Sequence, residues 1–249
     1  MEQPKKPLSR FALAGFGLAV IAALIGLAAG PGTRLGLWPF RTGFGLLSLT
    51  GNLGLAAALI SLFGQIVTRP TGRVRGFGLA FAGLIIGLAC TTVTWRLYQT
   101  AQRLPAIHDI TTDTENPPQF SALLAVRGMG ANSPIYGGPK IAEQQHRAYP
   151  DIKPVILDLP AALAFEKVEK TARAMGWKIV ASVPPDSRLE ATDTTFWFGF
   201  TDDIVVRVTP YGAGSRVDAR SLSRIGRSDM GTNAKRLRAF LAALAKGDN

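Results

Sequence analysis

Arg220-Ser221-Leu222-Ser223-Arg224, followed by Arg227 and by Asp229-Met230-Gly231-Thr232-Asn233, gathers the side chains in this chain best suited to holding an anion. On a strand, alternation puts Arg220 and Arg224 on one face with Leu222 between them, and Ser221 and Ser223 on the other. A helix is expected just beyond, with Asp229 or Thr232 as its N-cap, and a helix N-terminus offers free N–H groups and partial positive charge. Two guanidiniums beside a helix end could hold a phosphate or a carboxylate. The competing use is internal, because Asp202, Asp203 and Asp229 are available to pair with these arginines and such ion pairs are ordinary.

A second polar stretch, His108-Asp109-Ile110-Thr111-Thr112-Asp113, contains an acid, a candidate base and two hydroxyls, and His108, Asp109, Thr111 and Asp113 are candidate ligand contacts. His108 and Asp109 are neighbours, so in an extended chain their side chains diverge and do not form the bonded pair that nucleophilic catalysis uses. Asp and Thr in loops more often close turns through their own backbone. The aromatic run Phe196-Trp197-Phe198-Gly199-Phe200 reads as a strand continuation, with Phe196, Phe198 and Phe200 in the core under the last helix and Trp197 on the other face.

Other chemistry has little to work with. The one cysteine, Cys90, lies in an apolar stretch, so no intrachain disulfide forms and a thiolate is disfavoured. Two histidines, His108 and His146, without a Cys/His cluster do not suggest zinc, no G-x-S-x-G elbow is present, and neither metal nor cofactor is expected. The formal charge of +11 divides unevenly: residues 1 to 99 carry nine Lys/Arg and one acid, residues 100 to 249 nineteen and sixteen. A nucleic-acid binder would place that excess on its soluble face, so no nucleic-acid partner is expected.

What must position these residues is a membrane anchor followed by a soluble domain. From Phe11 to Trp95 there is no Asp, Glu, Lys or His, and the five arginines, Arg34, Arg41, Arg69, Arg73 and Arg75, fall in two short connectors. Spans are expected at about 11–29, 42–63 and 77–95, each near the twenty residues a helix needs to cross a bilayer. The first is longer than a signal-peptide h-region and is read as retained. Lys5, Lys6 and Arg10 with Arg69, Arg73 and Arg75 outnumber Arg34, Arg41, Arg96 and Arg103 by six to four, which places the N-terminus in the cytoplasm and the C-terminal domain in the periplasm of a bacterial inner membrane. No ionisable group sits within the spans, so transport is not indicated. Gly26 with Gly30 and Gly83 with Gly87 have close-packing spacing, which would serve either to pack the three helices or to form a homo-oligomer.

Residues 1–97 are thus the anchor, 98–150 a long Pro- and Gly-rich connection, and 151–249 an α+β domain. Val155 to Leu159 reads as a strand and Pro160 opens a helix that Gly176 stops. Strands are expected at 177–183, 188–198, 203–209 and 215–223, with turns at Pro184–Ser187, Thr201-Asp202 and Tyr211–Gly214. A last helix, Asn233 to Ala245, carries Leu237, Phe240, Leu241 and Leu244 as its buried stripe, with Lys235, Arg236 and Arg238 outside it. The order β-α-β-β-β-β-α defines a two-layer domain with an antiparallel sheet.

Several motifs in order carry a resemblance: His108–Asp113 with Asn116-Pro117-Pro118-Gln119-Phe120, Ala148-Tyr149-Pro150-Asp151-Ile152, Arg220–Gly226, and Asp229–Asn233. Over about residues 100–246 the chain resembles the DUF1499 family, a domain of unknown function often attached to membrane helices in bacteria. The resemblance implies no activity. The expected function is therefore that of a bilayer-anchored, non-catalytic domain that binds a protein partner or an anionic envelope ligand. The alternatives are a membrane-tethered hydrolase or transferase using His108, Asp109, Asp113 and the arginines, and a structural subunit of a membrane assembly.

Overall fold

Long uninterrupted apolar sequence folds into helix wherever no breaker intervenes, and the computed structural model, which describes residues 6–246, begins with three such helices: α1 (Arg10–Arg34), α2 (Phe40–Val67) and α3 (Phe77–Arg103). All three are long and apolar enough to cross a membrane. They outrun the apolar stretches because the arginine-bearing flanks stay helical; at 1.5 Å per residue, helices of this length span about 40 Å. Lys5, one of the orienting charges, lies outside the described residues, as do the final three positions.

Two compact units result, one comprising the chain up to Thr100 with Trp197–Gly199, the other Ala101–Phe196 and the chain from Phe200. In the helical unit the small residues make the crossings. A Cβ on Gly83 would lie 2.4 Å from Ser61 Oγ, one on Gly87 would lie 2.6 Å from the Gly54 carbonyl, and one on Gly26 would lie 2.9 Å from Thr50. Such approach of backbone to backbone is how helices gain van der Waals contact where no hydrophobic effect drives them together. Thr91 Oγ1 adds a 3.3 Å bond to the Gly51 carbonyl across α2 and α3. Leu13, Leu24, Leu59 and Ile85 face outward, as suits a lipid surround.

The second unit is α+β. Its strands are β1 (Asp109–Thr111), β2 (Val155–Leu157), β3 (Lys178–Val183), β4 (Arg188–Thr194), β5 (Thr201–Tyr211) and β6 (Gly214–Ser223), with α4 (Pro139–Ala148) and α5 (Ala161–Ala174) between them and α6 (Thr232–Ala245) at the end. All pairings are antiparallel in the order β1-β6-β5-β4-β3, and β2 lies beside β1 along the same edge of β6. The β3–β6 hairpins follow the expected boundaries closely, and Gly176, at φ +78°, ends α5. One sheet face carries the core: Ile204, Val206, Val217 and Ala219 under Phe165, Val168, Leu237, Phe240 and Leu244 of α5 and α6. Trp177 stacks on Phe240 at 4.8 Å.

Three differences from the sequence reading matter. β4 stops at Thr194 and the aromatic run forms the hairpin turn, closed by Thr195 N–H to Phe200 O (2.8 Å) with Gly199 at φ +72°; Phe196 is exposed, not core. The turn expected at Thr201-Asp202 is consequently the start of β5. Arg236, expected outside the α6 stripe, is buried, because Asp202 and Asp193 on the core side of the sheet receive its guanidinium. Residues 98–150 also supply a strand, a 3-10 turn and a helix, and from Thr112 to Gly138 they cover the second sheet face.

Candidate functional site

That second face explains the arginines. Register aligns Val205 with Arg220, Arg207 with Asp218, Asp203 with Leu222, Glu190 with Val205 and Thr111 with Arg220, so Asp109, Arg188, Glu190, Asp203, Arg207, Arg216, Asp218 and Arg220 project together away from the apolar core. In most antiparallel sheets such a face meets water. Here the covering segment shuts it in, with a small apolar cluster of Phe120, Leu123, Val205 and Leu222 at its centre.

Arg220 is wholly buried. Its Nε and Nη2 fork onto the two carboxylate oxygens of Asp109 at 2.9 and 2.8 Å. Nη1 donates to the Pro118 carbonyl (3.2 Å) and Nη2 to the Pro134 carbonyl (2.8 Å), while the guanidinium lies over the rings of Phe120 and Tyr136. One side chain thereby ties β6, β1 and two points of the covering segment together, using the planar fork that lysine lacks. Tyr136 is pushed up to about 12 by burial and by the Asp109 charge.

The neighbouring charges repeat the pattern. Asp203, fully buried, takes Arg224 Nε at 2.9 Å and also Arg127 from the covering segment, whose guanidinium is pulled down by burial. Glu190 accepts the backbone N–H groups of Ser121, Ala122 and Leu123 at 2.9 to 3.1 Å, with Arg188 at ion-pair distance but without hydrogen-bond alignment. Asp113 and Asp218 share Arg207 and Arg216, and the Asp218 hydrogen bond raises Arg216. Six arginines and five carboxylates make this layer nearly neutral as well as paired.

The remaining candidates fall on the other face or in turns. Ser221 Oγ donates to Asn233 Oδ1 (2.7 Å), and Asn233 Nδ2 donates to Ser223 Oγ (2.9 Å) and the His108 carbonyl (3.0 Å), which fastens the start of α6 to β6 and β1. Asp229 caps that helix itself, accepting from Gly231 N–H and Asn233 N–H at 2.9 Å each; burial raises its carboxyl against those bonds. Its carboxylate therefore fills the position in which an exogenous anion would sit. Asp113 Oδ1 closes a turn through the N–H groups of Glu115 and Asn116, and Thr111 uses its backbone to hold the Gln145 amide of α4.

The structure thus joins Asp109 to Arg220 and His108 to the Ser223/Asn233 group, but it does not bring His108 to Arg224. Asp109 points into the charged layer, so alternation turns His108 to the opposite face, where Nδ1 lies 3.3 Å from the Arg227 carbonyl. Arg127, Glu190, Arg207, Arg216, Asp218 and Arg236 were not singled out in the sequence, although Arg216-Val217-Asp218-Ala219-Arg220 has the period-two charge alternation that marks one continuous face. Open surface near these groups includes a shallow cleft of about 700 Å³ between Thr114–Pro117 and α4, with Tyr136 and His146 in its lining.

The chain thus combines three helices long and apolar enough to cross a membrane with an α+β domain whose sheet is locked by buried arginines. The family model described as protein of unknown function (DUF1499) matches residues 109–244, which is more than half of the sequence, and the chain belongs to that family. No curated protein matches it. Among solved structures, the crystal structure of CalU16 from Micromonospora echinospora is similar at 13% identity, over 37% of this chain and 73% of that one, with a TM-score of 0.28, too low to carry any argument.

Proposed function

We propose that this chain is a membrane-anchored, non-catalytic binding module of a bacterial inner membrane, its domain displayed in the periplasm to engage a protein partner or an anionic envelope ligand. The observation that supports this most is the Arg220–Asp109 pair. The two polar stretches that looked most able to do chemistry do meet at that pair, and the pair itself is buried beneath the covering segment. A reading as tethered hydrolase or transferase needs His108 and Arg224 in one cleft, and opposite faces of the sheet separate them. The binding surface then narrows to the loop from Arg224 to Gly231, where Arg227 is exposed and Arg224 is partly so.

Two measurements test the proposal. A cysteine introduced by Ala213→Cys in a Cys90→Ser background should react with an impermeant maleimide in intact spheroplasts; labelling only after lysis would reverse the orientation. Arg224→Ala with Arg227→Ala should remove partners that copurify with the wild-type chain from native membranes, and an unchanged set of partners would remove this loop from the binding surface.

A further inference from the structure

We propose that the pocket between the segment preceding α1 and the α2–α3 connector binds the phosphate of an anionic phospholipid headgroup, with hydrocarbon laid along the apolar face of α3. The site lies wholly in the helical unit, beyond the domain that the binding-module reading concerns.

Uncompensated charge marks the site. Between Glu2 and Asp109 the sequence has no Asp or Glu, so none of the described residues of the helical unit is a carboxylate. Lys6, Arg69 and Arg75 nevertheless line one pocket of about 360 Å³, together with Thr68, Val74 and Phe77. Arg10 and Arg73 stand exposed in the same two segments. Like charges gathered in this way repel one another, and an anion supplied from outside is the compensation open to them. The α+β domain handles its arginines differently, pairing them with its own buried carboxylates.

Backbone pairing fixes the walls of the pocket. Arg75 N–H donates to the Pro7 carbonyl and Ser9 N–H donates to the Arg75 carbonyl, both at 2.9 Å. Lys6 Nζ donates to the Gly72 carbonyl at 2.7 Å, which bridges the two walls, and Gly72 N–H donates to the Arg69 carbonyl at 2.7 Å to close the connector turn. A site ordered before binding spares its ligand that cost.

Continuity with an apolar stripe selects a lipid over a free anion. Phe77 belongs to the lining, and Phe81, Ile85 and Leu88 follow it at helical spacing, all four exposed on one face of α3. From Phe77 to Leu88 the stripe runs about 16 Å along the helix axis. An amphiphile with a phosphate at one end and hydrocarbon at the other matches both the basic pocket and the stripe, whereas inorganic phosphate matches only the first. Basic pockets between membrane helices take anionic headgroups in this way.

The test uses the full chain in neutral detergent, titrated with phosphatidylglycerol, phosphatidylcholine or inorganic phosphate, with bound lipid counted by native mass spectrometry. Phosphatidylglycerol should be retained at least about tenfold more readily than phosphatidylcholine. Arg69→Gln with Arg75→Gln should lower that retention at least about tenfold, and both side chains are exposed, so the fold should survive their loss. Arg69→Lys with Arg75→Lys keeps both charges and should keep the preference for phosphatidylglycerol. Arg41→Gln with Arg96→Gln, which takes the same charge from the opposite ends of α2 and α3, should leave retention within about twofold, since screened charges act over about 10 Å. Equal retention of the two lipids, or equal loss in the two glutamine variants, would overturn the proposal. Displacement of phosphatidylglycerol by inorganic phosphate at equal concentration would assign the pocket to a free anion and overturn the lipid as occupant. Copurified partners sensitive to Arg224 and Arg227 are a separate readout, so the binding-module reading would stand in each of these cases.

Discussion

Replacing Arg220 with alanine is the most direct test of the buried lock. The substitution strands the carboxylate of Asp109, whose side chain is 8% exposed, and removes donors from the carbonyls of Pro118 and Pro134. Breaking a buried pair from one side costs roughly 3–5 kcal/mol, because a charge is left without compensation. A domain stable by about 5–15 kcal/mol would lose a large share of that margin. Arg220→Lys keeps the charge but not the fork, and should cost less than alanine. Asp109→Leu with Arg220→Met removes both charges and should recover at least about 2 kcal/mol of the summed single losses, since contacting residues couple on that scale. The assay is guanidinium unfolding of the full chain in detergent, followed by the fluorescence of Trp177, which is buried on Phe240. Tryptic nicking at Arg127 reports release of the covering segment in parallel. If Arg220→Ala lies within about 1 kcal/mol of wild type and its coupling to Asp109 is near zero, the claim that this arginine holds the segment to the sheet is wrong; the scale of expected loss is that of a buried pair.

Three further outcomes are expected. Glu190→Gln, which weakens the acceptor for three successive backbone N–H groups, should lower stability by about 1–3 kcal/mol and speed cleavage within 121–130, measured by unfolding and limited proteolysis. Gly83→Leu should split the helical unit, because even a Cβ would meet Ser61 Oγ at 2.4 Å and the Phe16 amide at 2.9 Å; accelerated proteolysis of the spans in detergent would show it, and wild-type resistance would refute the packing. Burial raises the Asp202 carboxyl, with Arg236 opposing. A folded pKa above the unfolded value means that its contribution is complete below the unfolded pKa and is lost as pH rises through the folded one. Stability relative to Asp202→Asn should therefore increase on acidification from neutral pH, and a decrease would reverse the assignment.

How far the sequence can be read depends on where each residue's partners lie. Val155, the Pro160 helix start, the Gly176 stop and the hairpin at Gly212 depend on neighbours in the chain, and they are legible. β1 is three residues long and exists because Asp109 and Thr111 find β6 more than a hundred positions away, so no local pattern announces it. Phe196 misleads for the opposite reason: period-two aromatics imitate a strand until Gly199 turns the chain. Arg236 misleads because a charged residue at the edge of a helical stripe looks solvated unless the acids opposite it are known.

The helices from Arg10 to Arg103 and the α+β class were determined by the sequence itself, since apolar length and periodicity act through local geometry and transfer from water. That Arg220 is a lock rather than an exposed anion contact was decided only by tertiary structure. A guanidinium becomes one or the other according to what covers it, and here the cover comes from residues 112–138, folded over a sheet face that alternation alone would have left to water.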